Sequence, residues 1–245
     1  MTKLLFPLVV AGIALFAQLS PAQTLIGINF GADQQAGEIQ PGDFAGVVPQ
    51  SHWNNTTGGS GTVLDLLDDA GNTTAVGVTW SSSNTWRAWT GGADNGDQRL
   101  LQGYLDGGSN GVPAAVTVSN IPFSVYNVYV YINRDGDNST STYTVNGQSQ
   151  TVTPGAYATT LSLAGPAAPG VPNASTAGTY ILFTNVTGSS LSLLTSNAAS
   201  YPQSLDWRSP VNGIQIVAVP EPAAGALAGF AIAAGAMLVI RRKTA

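Results

Sequence analysis

The amino-acid sequence predicts an all-β protein built as an antiparallel β-sandwich. Ten short apolar or alternating runs recur through the middle of the chain, and each run is bounded by turn residues such as glycine, proline, asparagine and serine. No stretch of this middle region has the length and 3.6-residue period of an ordinary helix. Short strands at this spacing are typical of sandwiches and barrels.

The predicted strands follow one another along the middle of the chain. The clearest covers 125–132, where a period of two predicts an aliphatic inward face and a tyrosine-bearing outward face. Its inward residues are Tyr126, Val128, Val130 and Ile132, and its outward residues are Asn127, Tyr129 and Tyr131. A short helical turn is predicted at 100–105. The ten runs are 25–30, 63–67, 75–80, 115–118, 125–132, 142–145, 150–153, 180–184, 190–194 and 213–217.

One hairpin has a specific local signal. Asn146-Gly147 stands between the alternating runs 142–145 and 150–153. A type I′ turn requires two residues with positive φ, and Asn-Gly is the dipeptide that adopts this conformation most readily. The sequence therefore predicts a tight hairpin at this position.

Composition excludes several classes of function. The chain of 245 residues has no cysteine and a single histidine, His52, so thiol nucleophiles, disulfide scaffolds, iron–sulfur ligation and histidine-rich metal sites are excluded. Only four arginines, Arg87, Arg99, Arg134 and Arg208, lie between Lys3 and Arg241, against all 13 acidic residues. Nucleic-acid binding is not expected, because it depends on lysine and arginine at phosphate groups.

The N-terminal segment 1–22 has the layout of a secretory signal peptide. Lys3 precedes an uncharged apolar run, and Ser20-Pro21-Ala22 supplies small residues before the expected cleavage site. The alternative is a buried core helix, but the run has little amphipathic spacing. The sequence therefore predicts export, with a mature domain at 23–219.

The C-terminal segment 220–245 has three parts in order. Its uncharged stretch 223–240 would be roughly 27 Å long as a helix, enough to cross a bilayer core. The basic cluster after it is expected to stay cytoplasmic, which places the preceding domain on the other side. The three parts are Pro220-Glu221-Pro222, the stretch 223–240 and Arg241-Arg242-Lys243.

This tail resembles the PEP-CTERM sorting signal of exported Gram-negative proteins. The resemblance rests on Pro220, Glu221 and Pro222, the following apolar span, and Arg241 with Arg242. It implies recognition by a membrane-embedded exosortase, cleavage near the motif, and release to the cell surface or the extracellular polysaccharide. The inner membrane would then be a transient partner. The alternative is a permanent C-terminal membrane anchor.

The middle of the chain resembles the galactose-binding-like jelly-roll domains of exported bacterial proteins. The resemblance implies a jelly-roll fold that is often used for glycan binding, and it carries over no catalytic residue. The fragments that support it are 28–31, 53–54, Asp97 with 100–105, 126–131, 143–147 and 211–216.

The strongest candidate site is the loop 81–97, which carries Trp86 and Trp89. Indole faces bind the apolar faces of sugars, and neighbouring polar side chains bond to the hydroxyl groups. The expected polar partners are Asn84, Asp94 and Asn95. The alternative is that one or both tryptophans fold inward and close the end of the sandwich.

Weaker candidates are the loops 52–55 and 201–208, for which loop packing is the competing interpretation. Asp135-Gly136-Asp137-Asn138-Ser139 alternates oxygen donors as calcium loops do, but Thr140 and Asn146 occupy the positions where an EF-hand needs glycine and glutamate. A looser calcium site, to which either this loop or 94–97 contributes with distant residues, stays an alternative, and a solvated turn is preferred. No metal or other cofactor is predicted.

The sequence thus predicts an exported protein of the cell surface or exopolysaccharide matrix that binds glycans without catalysis. No carboxylate pair stands in a recognisable catalytic motif, and His52 has no Gly-x-Ser-x-Gly partner. Its expected partners are exosortase, the secretion machinery and extracellular polysaccharide. Two alternatives remain: a purely structural matrix protein and a secreted polysaccharide-active enzyme.

Overall fold

The computed structural model describes most of the region between the two terminal segments. The signal-peptide prediction at 1–22, the sorting-motif residues Glu221, Pro222, Arg241 and Arg242, and the transmembrane prediction at 223–240 lie outside the described residues. Within the described ranges, no helix has both the length and the apolar character needed to cross a bilayer. The described ranges are 24–107, 112–136, 140–165, 176–197 and 208–220.

The described residues form sixteen strands and one short helix, which confirms the predicted all-β class. In chain order they are β1 (Leu25–Asn29), β2 (Asn54–Asn55), β3 (Ser60–Val63), β4 (Gly77–Ser81), β5 (Thr85–Arg87), α1 (Gly96–Gln102), β6 (Gly103–Gly107), β7 (Ala115–Ser119), β8 (Val125–Tyr131), β9 (Asn133–Arg134), β10 (Ser141–Val145), β11 (Gln148–Val152), β12 (Gly155–Ala156), β13 (Tyr180–Thr187), β14 (Ser190–Asn197), β15 (Ser209–Val211) and β16 (Gly213–Ala218).

Two large sheets form the sandwich. The five-stranded sheet has the order β13-β8-β16-β1-β2, and the six-stranded sheet has the order β11-β10-β14-β7-β4-β3. Neighbouring strands in both sheets are antiparallel, except that β1 and β2 pair in parallel. Strand β16 lies between β1 and β8, so the last strand closes the sheet that the first strand begins.

The main core lies between these two sheets, because each sheet turns an apolar face toward the other. Phe30 and Trp80 meet across this core, with ring centroids 6.1 Å apart. Alternate residues of each strand enter the core, as the period of two requires. The five-stranded sheet contributes Ile26, Ile28, Val128, Val130, Ile214 and Ile216, and the six-stranded sheet contributes Val78, Trp80, Val116, Val118, Tyr143, Val145, Leu191 and Leu193.

Two predicted elements are displaced along the chain. The run predicted at 63–67 is a strand only at its first residue, since β3 covers Ser60–Val63 and Leu66 enters the core from the following loop. The helical turn predicted at 100–105 begins earlier, because the Asn95 side chain accepts a hydrogen bond from the Gln98 N–H and caps α1 at its N-terminus. The chain then changes directly from helix to β6.

The hairpin predicted at Asn146-Gly147 is confirmed. Asn146 has φ of 45° and Gly147 has φ of 84°, and Val145 pairs with Gln148 as a two-residue turn requires. The Asn146 side chain also accepts a hydrogen bond from the Ser192 N–H at 2.8 Å. The turn is therefore attached to the neighbouring strand β14.

A second, smaller core covers the outer face of the five-stranded sheet. Tyr131 was predicted to face outward, and it does lie opposite the main core, yet it is fully buried. The long loop after β1 folds back over it, and Trp53 packs edge-on against Tyr131 with ring centroids 5.9 Å apart. The other members are Ile39, Ala45, Leu100 and Leu101. This cover explains why β1 is buried along its whole length.

Candidate functional site

Two small sheets lie beyond one end of the sandwich. The first has the order β15-β6-β5, and the second pairs β12 with β9. One residue separates β8 from β9, and one residue separates β15 from β16. Strands β8 and β16 are antiparallel neighbours. The end of β8 and the start of β16 therefore share one edge, and both small sheets are attached there.

Two buried asparagines join the small sheets to the sandwich. The Asn212 side chain donates to the carbonyls of Leu101 and Gly103 at 3.0 and 2.8 Å and accepts from the Asn133 N–H. The Asn133 side chain donates to Leu101 and Ala158 at 2.9 Å each. Because both amides are buried with their hydrogen bonds made, they fix α1, β9 and β15 in one arrangement.

Trp86 lies on β5, opposite Tyr104 of β6. Its indole N–H donates to an Asp135 carboxylate oxygen at 2.9 Å. The Arg87 guanidinium lies 4.9 Å from the Trp86 ring centroid, and that of Arg208 lies 5.7 Å away. A cation within about 6 Å of an indole face is attracted by the ring quadrupole. The Trp86 side chain is thus fixed by the hydrogen bond from its indole N–H and by the two guanidinium groups near its ring.

Asp135 accepts hydrogen bonds from three side chains. Besides Trp86 at one oxygen, the Tyr104 hydroxyl and an Arg208 N–H both donate to the other. Arg208 also donates to the Tyr104 oxygen at 2.8 Å, and its Nε lies 3.7 Å from a carboxylate oxygen of Asp106. The Asp135 charge is therefore balanced within the protein.

Burial perturbs the titration of two groups in this network. It raises the pKa of Tyr104, and the hydrogen bond to Asp135 raises it further, so the phenol stays protonated and acts as a donor. Burial also raises the pKa of Asp106 to about 6, because the nearby Arg208 charge only partly offsets the loss of solvent. Asp106 is only 4% exposed.

A cleft of about 300 Å³ opens beside this network. Three aromatic side chains line it: Trp86, Trp89 and Tyr157. Trp86 and Trp89 are partly buried, whereas Tyr157, which follows β12 directly, is 59% exposed. The remaining lining residues are Arg87, Ala88, Thr90 and Asp135.

The two tryptophans line one cleft because the strand ends between them. An extended chain would turn residues three apart to opposite sides. Strand β5 stops at Arg87, and the chain then turns at Ala88, which is buried and donates its N–H to the Gln102 carbonyl at 2.7 Å. The structure thus brings Trp86 and Trp89 to one cleft without the helical turn that sequence reasoning required for this arrangement.

The predicted polar partners lie elsewhere. Asn84, Asp94 and Asn95 are exposed and are not among the residues that line the cleft. Asn95 caps α1 with its side-chain oxygen, 3.0 Å from the Gln98 nitrogen. The polar side chains that line the cleft are Arg87, Thr90 and Asp135.

The other candidate loops have structural roles where they are described. The loop 52–55 includes Trp53, which packs in the second core, and the two asparagines of strand β2. Both asparagines are hydrogen-bonded; the Asn54 side chain, for example, donates to the Gly27 carbonyl at 2.8 Å. Arg208 belongs to the Asp135 network, while 201–207 lie outside the described residues. So do 137–139 of the possible calcium loop.

Sequence reasoning missed four contributors to this site. Tyr157 has no local signal, since it is a single aromatic residue in a loop. Tyr104 and Arg208 were not connected with Trp86, and Asp135 was considered only as a calcium ligand. Its carboxylate oxygens accept from Trp86, Tyr104 and Arg208 instead. In the described ranges, no three histidine, aspartate or glutamate side chains are grouped as a metal site would require.

Comparisons with known proteins found one weak structural match and no match in sequence. No protein-family model matches the chain, and no curated protein matches it. One solved structure resembles it, a crystal structure of an exo-beta-1,3-galactanase from Phanerochaete chrysosporium with galactose. The likeness has a TM-score of 0.28 and 14% sequence identity, and it covers 60% of this chain and 31% of that one. This chain therefore spans about a third of that protein.

Proposed function

We propose that this protein binds glycans, without catalysis, in the cleft between the two small sheets. The observation that carries the proposal is the convergence of Trp86, Trp89 and Tyr157 on one cleft that also holds Arg87 and Asp135. Aromatic rings with a polar edge suit sugars, which have apolar C–H faces and a rim of hydroxyl groups.

The size of the cleft indicates what part of a glycan it accepts. About 300 Å³ is at the lower end of the range for small-molecule pockets. The cleft is therefore suited to one or two sugar units of a longer chain, with the remainder extending into solvent past the exposed Tyr157.

The carboxylates of the cleft support binding over hydrolysis. A glycoside hydrolase needs one acid to protonate the leaving group and one carboxylate to act as base or nucleophile, both facing the sugar. Asp135 lines the cleft, but its oxygens already accept from Trp86, Tyr104 and Arg208. Asp106, the other acid of this network, is buried and does not line the cleft.

The terminal segments support a location outside the cell. We propose that 1–22 directs export and that Pro220, Glu221 and Pro222 direct exosortase sorting, with the domain 23–219 released to the surface or the polysaccharide matrix. Mass spectrometry of surface-released protein should then find neither Lys3 nor Arg241. A released form that retains 223–245 contradicts exosortase processing.

We propose, in addition, that the sandwich is of the galactose-binding-like jelly-roll type. Its two antiparallel sheets, and the insertion of the last strand between β1 and β8, support this assignment. A crystal structure of the purified protein tests it, since a different strand order in either sheet contradicts it.

A glycan array probed with the purified protein tests the binding function. Tyr157→Ala and Trp89→Ala should each remove retention, because each deletes an aromatic face of the cleft. Phe44→Ala is the matched control: Phe44 is 65% exposed, close to the 59% of Tyr157, but it does not line the cleft. Absence of binding to every glycan favours a purely structural matrix protein, and release of reducing sugar favours an enzyme.

A further inference from the structure

Arg87 differs from Arg99 and Arg208 in its charge partners. Arg99 pairs with Asp43 at 2.9 Å, and Arg208 pairs with Asp135 and Asp106. Arg87 forms no ion pair in the described part of the chain, and its guanidinium lies over the Trp86 ring at 4.9 Å. It is nevertheless one of the residues that line the cleft.

Among the described residues, the cleft therefore contains a positive charge, that of Arg87, without an acidic ion-pair partner. Asp135, the acid of the lining, is already paired with Arg208 and accepts two further hydrogen bonds from Trp86 and Tyr104. An uncompensated cation at a binding cleft is notable in a chain whose formal net charge is −5. Because the Asp135 carboxylate is engaged by Arg208, Trp86 and Tyr104, the Arg87 guanidinium is the charged group of the lining that is available to an anionic group of a ligand.

We propose that the cleft selects acidic saccharides, with Arg87 binding the carboxylate of a uronic acid unit. This inference rests on the proposed glycan-binding function and names its ligand class. A guanidinium is planar and offers two parallel N–H donors, which match the two oxygens of a carboxylate. The apolar face of the same sugar packs on Trp89 and Tyr157, because Arg87 itself occupies a face of Trp86.

Calorimetric titration of the full chain with oligogalacturonate and with its fully methyl-esterified form tests the selection. The two probes share their stereochemistry and differ in charge. We expect the acid to bind at least tenfold more tightly than the ester at low salt. The preference should shrink at high salt, where charge interactions at a partly exposed site are screened.

Variants connect the preference to Arg87. Arg87→Gln should reduce binding of the acid to the level of the ester and leave the ester unchanged. Arg99→Gln changes the net charge of the protein by the same amount at a residue outside the cleft, and it should keep the preference. Arg87→Lys should keep part of it, since the charge remains and the planar fork is lost.

The outcomes separate this inference from the proposed function. Equal binding of acid and ester by the unchanged protein overturns the acidic selection and leaves glycan binding intact. A preference that survives in a folded Arg87→Gln protein overturns the role of Arg87. If neither these probes nor any neutral oligosaccharide binds, both proposals fail. The comparison of acid and ester on the unchanged protein decides the selection even where a variant does not fold.

Discussion

The segment around Trp53 and the segment around Trp86 and Trp89 are similar in composition and differ in their surroundings. Each tryptophan stands among asparagine, serine, threonine and glycine. Trp53 is only 6% exposed and packs on Tyr131, whereas Trp86 and Trp89 are partly buried and line a cleft. A tryptophan in a polar loop is therefore not by itself evidence for a binding site.

The difference arises from what lies beneath each loop. The loop of Trp53 crosses the outer face of a large sheet, and Gly27 lies directly below the indole: a Cβ at Gly27 would come within 2.7 Å of Trp53. Flat contact with a sheet removes the whole ring from solvent. Trp86 instead lies on the three-residue edge strand β5 and Trp89 just after it, beyond the end of the sandwich, and both side chains stay partly exposed.

The largest expected effect is on stability at Trp53. Trp53→Ala removes a buried ring from the second core and should lower the free energy of unfolding by about 3 to 5 kcal/mol. Urea denaturation measures it. Phe44→Ala, at an exposed aromatic residue of the same loop, should stay within about 0.5 kcal/mol. A loss below about 1 kcal/mol at Trp53 contradicts its assignment to a core.

The next largest effect on stability is expected at Asp135, whose hydrogen bonds hold Trp86, Tyr104 and Arg208 together. Asp135→Ala removes the acceptor of Trp86, Tyr104 and Arg208, and should cost about 1.5 to 3 kcal/mol, as for hydrogen bonds to charged groups. Glycan retention should fall with it, because Trp86 loses the contact that orients it. Asp94→Ala is the control, since Asp94 is exposed and lies outside the network. Equal stability of the two variants contradicts the role given to Asp135.

A smaller change in stability is expected at Trp89. Trp89→Ala should lower the free energy of unfolding by about 1 kcal/mol, since the side chain is only partly buried where it packs against the second core. Glycan retention should be lost in the same protein. Thermal melting and affinity electrophoresis on one sample give both values. A loss as large as that of Trp53→Ala shows that Trp89 is a core residue.

A further expected effect is a dependence of stability on pH. Burial raises the pKa of Asp106 to about 6, above its ordinary value, so the folded protein holds a proton that the unfolded chain releases. The contribution is present at pH below about 4 and is lost as the pH rises to about 6. Its slope cannot exceed about 1.4 kcal/mol per pH unit, the value for one proton.

Urea denaturation at pH 4, 5, 6 and 7 measures this contribution. Other carboxylates also titrate in this range, so the informative quantity is the difference between the unchanged protein and Asp106→Asn. The stability of the unchanged protein relative to Asp106→Asn should fall between pH 4 and 6 and then level off. A constant difference across the range contradicts a raised pKa at Asp106.

Sequence reasoning succeeded where the determining contacts are local or periodic. The alternation in 125–132 predicted β8 and its core-facing residues, and Asn146-Gly147 predicted the hairpin between β10 and β11. Sequence reasoning was less successful at the ends of strands. At 63–67, a short apolar run does not show which of its residues pair with a neighbouring strand. Sequence reasoning selected Trp86 and Trp89 but placed Asn84, Asp94 and Asn95 beside them.

The sequence by itself determined the all-β class, most strand positions and the identity of the two cleft tryptophans, because turn chemistry and a period of two act over a few residues. Only the tertiary structure decided which tryptophan is buried and which partners surround the others. Trp86 and Asp135 are 49 positions apart, and Arg208 and Tyr104 are 104 apart. Contacts at such separations depend on how the sheets pair and pack, and no local pattern records them.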